Sequence, residues 1–174
     1  MAERWILAID QGNGGPKVAV VSLEGDVRRT AMRAVSVHIG LDGTATQDAS
    51  EWWDRLLEAA QEAIDESGAD RDELHAVAIT GQWASTIPVG DDGTPAGPVL
   101  LWADTRARPL VREVIGGPVN VGGYSPTKVL PFIRTTGGAP APSGADPTGH
   151  SLLLQRSLRD VYDRTKVLLE PVDY

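Results

Sequence analysis

Asp10-Gln11-Gly12-Asn13-Gly14-Gly15-Pro16-Lys17 lies between two apolar runs, Trp5 to Ile9 and Val18 to Leu23. Both runs are short, bounded by turn residues and rich in β-branched side chains, so the pattern predicts a strand on each side. A carboxylate closes the first strand, a glycine-dense turn follows, and a lysine opens the second. One acid, several small-residue N–H groups and one ammonium therefore share a single bend, which suits a metal-bound polyphosphate. Two common glycine loops fail against it. G-x-G-x-x-G begun at Gly12 puts its last position on Lys17 and needs a helix next, where Lys17 to Leu23 reads as strand. The P-loop pattern fails because no Gly-Lys pair stands at the required spacing. Taken alone, an ordinary hairpin turn with a surface acid and a surface lysine accounts for the stretch equally well.

Working outward, 174 residues suffice for one domain with a real core. Hydrophobic content of 41% with 23% charged residues belongs to globular proteins. A net charge of −8 opposes a nucleic-acid or anionic-membrane partner. The absence of cysteine excludes disulfides and thiolate metal sites. No run reaches eighteen apolar residues, and the apolar run after Glu3 and Arg4 is too short for a signal peptide. The expected location is cytoplasmic, with neither nucleic acid nor membrane as partner.

Glu24-Gly25-Asp26 turns the chain into a third strand, Val27 to Val37, so an antiparallel three-strand meander is expected. Asp48, with Glu51 three residues on, starts a helix whose core face reads Trp53, Leu56, Leu57, Ala60 and Ile64, with Gly68 as terminator. Leu74 to Thr80 is apolar enough for a buried central strand, on which His75 is a strand-edge residue and no metal ligand. Gly81-Gln82-Trp83-Ala84-Ser85 follows at its carboxyl end, where open α/β sheets bind ligands. Ile87 to Val89 and Val99 to Trp102 read as strands around a hairpin-like turn at Gly90-Asp91-Asp92-Gly93. Asp104 and Arg106, two apart, are placed to form an ion pair. Arg108 to Ile115 is a short helix, Ser125-Pro126 starts another that Pro131 shortens, and Gly137 to Gly149 is a loop. His150 is expected to be a solvated loop histidine, and Leu152 to Leu169 a helix with Tyr162 and Lys166 one turn apart.

Four segments resemble the FGGY carbohydrate kinases, of the actin-like, ribonuclease H-like ATPases, and they stand in that family's order. Asp10 to Lys17 resembles its first phosphate loop, D-x-G-T-x-x-x-[KR], with Asn13 in place of threonine. Gln47-Asp48 with Trp52-Trp53 resembles the family's QDPxxWW helix start. Gly81 to Ser85 resembles its sugar-contacting G-Q-x-x-G segment, with Ala84 departing from the polar residue usual there. Trp102-Ala103-Asp104-Thr105-Arg106 resembles its W-x-D-x-R loop. The Pro/Gly-rich stretch is like an insertion of the xylulokinase-like branch.

The resemblance implies an α/β, actin-like domain with a mixed sheet opening in the antiparallel meander and flanked by helices, here incomplete. Residues 1–174 correspond to part of the N-terminal domain, with the C-terminal ATPase domain absent. The implied chemistry is transfer of the ATP γ-phosphate to a hydroxyl of a ketose such as xylulose, or of a polyol. Asp10 would hold magnesium, and Gly12, Asn13 and Lys17 the phosphates of ATP. Gln82, Trp83, Ala84, Asp104 and Arg106 would meet the sugar. The family's aspartate base is not found in these residues, so the chain by itself is expected to be inactive. The remaining half of the kinase, or a homo-oligomer, is the expected protein partner. The alternative reading is a non-catalytic remnant or partner-binding module.

Overall fold

The computed structural model describes residues 4–115 and 141–174. The chain divides into two compact units, one of residues 1–37, 48–82 and 171–174, the other of residues 38–47 and 83–170.

The first unit is built on β1 (Trp5–Gly12), β2 (Gly15–Ser22) and β3 (Val27–Met32), the antiparallel meander expected from the turns. The third strand stops at Met32, short of Val37. β1 alternates buried and half-buried residues, so Trp5, Leu7 and Ile9 face one core with Val18 and Val20 of β2. The next strand in this sheet, Leu74–Gly81, lies parallel to β1 and gives the order in which β1 sits between it and β2.

Helix α1 (Ala49–Ser67) covers the core face of that sheet. Asp48 caps it, accepting from the N–H groups of Ser50 (2.8 Å) and Glu51 (3.4 Å), and Gly68 ends it at φ 69°. Only half of a capping box forms, because Glu51 turns outward to accept from the N–H and Oγ of Ser36. The buried face also differs from the expected one. Trp52, Ala59 and Ala63 are buried and Leu56, Ala60 and Ile64 pack beside them, while Trp53 and Leu57 are about half exposed. Small alanines let α1 approach the bulky Trp5, which rotates the helix away from the face drawn through Trp53.

The second unit contains β4 (His38–Ile39), β5 (Ala45–Gln47), β7 (Ile87–Val89), β8 (Val99–Leu100) and β9 (Val167–Leu169), with Leu74–Gly81 counted as β6. β5 lies between β4 and β8, all antiparallel, and β7 pairs with β9. The expected hairpin of residues 87–89 with 99–102 survives only as the Thr86–Leu100 bridge, which exchanges two hydrogen bonds of 2.8 and 2.9 Å. Helix α2 (Arg108–Ile115) forms as read and packs Val111 and Ile115 against Leu152 to Leu154. The single helix expected over 152–169 is instead α3 (Pro147–Ser157), α4 (Arg159–Arg164) and β9. Asp146 caps α3 and Pro147 occupies its first turn, a start signal that lies inside the expected loop. The helix expected from Ser125 lies outside the described residues.

Candidate functional site

In the first unit the β1–β2 register sets Asp10 opposite Lys17, Gln11 opposite Pro16 and Gly12 opposite Gly15, leaving Asn13 and Gly14 as the turn. Lys17 Nζ lies 3.7 Å from Asp10 Oδ2, and both side chains are about half exposed. This ammonium and carboxylate point from one rung of the ladder into solvent. The positive φ falls on Gly15 (119°), and Asn13, where the notable tolerance for such angles was expected to matter, has negative φ. A Cβ on Gly15 would collide with the carbonyl oxygen of Arg33. The strand after β3 is in turn bonded to the loop, Arg33 N–H to Pro16 C=O (3.2 Å) and Val35 N–H to Gly14 C=O (3.4 Å). The bend is therefore held from behind by backbone, which fixes where Asp10 and Lys17 project.

Such a donor set fits a magnesium-bound polyphosphate. Magnesium takes one or two carboxylates and fills its octahedron with water and phosphate oxygens. Among the described residues no three His, Cys, Asp or Glu side chains gather as an all-protein metal cage. Asp10 is the oxygen donor of the loop, and Lys17 the cation beside it.

Gln82 closes the first unit, its N–H donating to Gln11 C=O at 3.0 Å. Trp83 opens the second unit and is 78% exposed. Ala84, buried, has φ 60°, a left-handed angle rare for a residue with a Cβ. This turn brings Ser85 inward, where its Oγ accepts from Trp102 N–H at 3.3 Å. The indole of Trp102 is half exposed.

Asp104 is fully buried and its carboxylate is spent internally. It accepts from the N–H of Ala45 (3.2 Å) and of Arg106 (3.1 Å), and from Arg106 Nε (3.0 and 3.1 Å) and Nη2 (2.6 Å). The ion pair anticipated from spacing is present, on a turn in place of a strand. Its geometry is the two-pronged carboxylate–guanidinium fork, which fixes the plane of Arg106 as well as its position. The turn is clamped from the other side by Gly43 (φ 92°), whose carbonyl accepts from Thr105 N–H at 2.9 Å.

Two residues of this unit escaped the sequence reading. His150 is completely buried, contrary to the solvated loop expected for it, with Nδ1 2.9 Å from Thr86 Oγ1. Burial pushes the imidazole down to about 4, against the opposing pull of the Asp104 and Asp146 charges. The signal was available: a helix started by Asp146-Pro147 puts His150 on one face with Leu153 and Leu154.

The profile of the FGGY family of carbohydrate kinases, N-terminal domain, matches residues 5–122. A glycerol kinase from Bordetella pertussis is 32% identical over 115 residues, 66% of this chain and 23% of that protein. Among solved structures, a gluconate kinase from Lactobacillus acidophilus superposes with TM-score 0.79 at 17% identity, covering 97% of this chain and 31% of that one. A xylulose kinase from Lactobacillus acidophilus gives 0.77 at 17% identity, covering 95% and 31%. These likenesses show the actin-like fold expected from the sequence. The chain spans about a quarter of the length of the curated relatives it matches and about a third of the solved structures. Its profile match covers well over half of the residues, so the chain belongs to the FGGY family of carbohydrate kinases, within the N-terminal domain.

Proposed function

We propose that residues 1–174 are part of the N-terminal domain of an ATP-dependent carbohydrate kinase that phosphorylates a ketose such as xylulose, or a polyol. The observation that carries this reading is the Asp10–Lys17 rung at the end of the β1–β2 ladder, with glycines on either side of the turn. Relatives named glycerol, xylulose and gluconate kinase support a polyhydroxylated substrate. In this reading Mg-ATP supplies the phosphoryl group and the metal charge that offsets the developing negative charge. Asp10 holds the metal, directly or through water. The small residues Gly12 and Asn13 let the backbone approach the phosphates, and Lys17 places its ammonium against them. Gln82, Trp83 and Arg106 meet the sugar, Trp83 with an exposed apolar ring face. Ala84 sets the backbone turn that presents Trp83, and Asp104 holds Arg106 in plane. The base that takes the hydroxyl proton lies outside these residues, and the proposed location is cytoplasmic.

Titration calorimetry of the chain with Mg-ATP tests the site. Asp10→Ala is expected to weaken binding at least ~10-fold, about the 1.4 kcal/mol of one lost charge-assisted contact. Equal affinities of the variant and the parent would remove the loop from the site.

A further inference from the structure

The sheet of the first unit has two edges of opposite character. At one, β3 carries Arg28 and Arg29, and Arg29 pairs with Glu62 and Glu66 of α1. Charges of this kind on an edge strand block further pairing. At the other, β6 holds no Asp, Glu, Lys or Arg from Leu74 to Gln82. Its register with β1 runs unbroken from Ala76 to Gly81, and Gln82 N–H bonds to Gln11 C=O. Strand alternation therefore turns the N–H and C=O of Val77, Ile79 and Gly81 away from β1. Among the described residues no strand lies on that side. The sequence reading made this a buried central strand, yet Val77 and Ile79 are 52% and 51% exposed. A charge-free strand parallel to its neighbour and apolar throughout is the pattern of a sheet interior, not of an edge.

A second observation lies beside it. A cleft of about 50 Å³ is lined by Ile9, Gln11, Trp52, Trp53, Ile79 and Val172, among others. Gln11 is 5% exposed and Trp52 2%. The Gln11 Oε1 and Nε2 and the Trp52 Nε1 are buried there with no hydrogen-bond partner among the described residues. Buried polar groups left dry are costly, so this carboxamide and indole N–H call for a donor and an acceptor from outside. The volume admits a side-chain tip or a few waters, and falls well short of the ~150 Å³ that holds a benzene ring.

We propose that β6 and the adjoining Gln11–Trp52 cleft seat one further β-strand, supplied by polypeptide outside residues 1–174 in a chain of family length. The strand pairs with the outward groups of Val77, Ile79 and Gly81 and covers Val77 and Ile79. A polar tip on its α1 side satisfies Gln11 and Trp52. The occupant follows from length: solved proteins that share this fold extend to about three times these residues. The inference rests on family membership and on β6, and is independent of the phosphate-site reading.

Hydrogen–deuterium exchange tests it in the recombinant 174-residue chain and in the protein isolated from its natural source. The natural protein is expected to exceed 18.5 kDa, and its Val77, Ile79 and Gly81 amides to exchange at least ~100-fold more slowly than in the 174-residue chain. Equal exchange in the two samples, or a natural mass of 18.5 kDa, overturns the proposal. Protection already present in the 174-residue chain overturns it as well: with a dimer mass the occupant is a second copy, and with a monomer mass it is this chain itself. Val77→Lys is a second check. It should leave the melting temperature of the 174-residue chain within ~2 °C and lower that of the longer protein by ~5 °C or more. A large drop in the 174-residue chain would mean that β6 is already covered. Loss of Mg-ATP binding with β6 protection intact would sink the phosphate loop and leave this inference standing.

Discussion

Gly15 couples the hairpin turn to the backbone behind it, because its φ of 119° and the nearby Arg33 carbonyl both exclude a Cβ. Gly15→Ala is expected to destabilise the chain by on the order of 3 kcal/mol, from a disfavoured backbone angle plus overpacking against main chain. Urea unfolding measures it, and a change under ~1 kcal/mol would show that the turn shifts freely. His150 supplies a pH dependence with a definite sign. Its folded value of about 4 lies below the unfolded value near 6.5, so the unfolded chain takes the proton first as pH falls. The stability held by the neutral imidazole is present above pH 6.5 and is lost as pH falls toward 4, by on the order of 3 kcal/mol. His150→Asn, which keeps a polar group for Thr86, should flatten this slope in denaturant titrations at pH 7, 5.5 and 4.5. An unchanged slope would place the acid sensitivity elsewhere. At this scale the sequence showed chemistry better than environment. Asp10 with Lys17 and Asp104 with Arg106 could be paired from spacing, since both partners are near in the chain. The burial of Asp104 and His150 could not, because each is enclosed by segments distant in sequence, such as Ala45 for Asp104 and Thr86 for His150.

Elements were legible where local chemistry closes on itself. The meander, the Asp48 cap, the Gly68 stop and helix α2 each rest on residues within a few positions of one another. The Asp48 cap carries a direct test. Asp48→Ala removes the acceptor for two N–H groups at the start of α1 and should cost about 1 kcal/mol of stability, while Asp48→Asn should cost less than half of that. Thermal unfolding of the three proteins checks it, and equal losses for Ala and Asn would assign the effect to the charge of Asp48 and not to its bonds. Elements were misread where long-range contact decides. Trp52 and Trp53 are adjacent, so helical spacing alone permits either on the core face, and the alanines facing Trp5 settle it. The run from Leu152 to Leu169 is apolar enough for one helix, but pairing of Val167–Leu169 with Ile87–Val89 draws its end into a strand. β6 is the instructive case: its composition states an interior position, and the described residues leave it at an edge.

At the scale of the molecule, a kinase needs three parts: a phosphate cradle, a substrate surface and a base. The first unit holds Asp10 and Lys17 at the phosphate loop, and the second holds Trp83 and the fixed Arg106. The carboxylates nearest to those residues are already committed. Asp104 is buried in its fork with Arg106, and Asp42, held below the usual carboxylate range by its bonds to Thr44, forms an Asx turn with it. A general base must reach the reacting hydroxyl with a free oxygen, which neither provides. Positioning and charge neutralisation without proton removal leave phosphoryl transfer far short of a working rate. The 174-residue chain is therefore expected to bind Mg-ATP weakly and to release no ADP above background with xylulose, glycerol or gluconate. A coupled ADP assay at millimolar substrate reads this directly. Turnover that Asp10→Ala abolishes would place the base within residues 1–174 after all. Binding without turnover, restored to activity in a chain of family length, would show that the cradle is complete here and that the base is not.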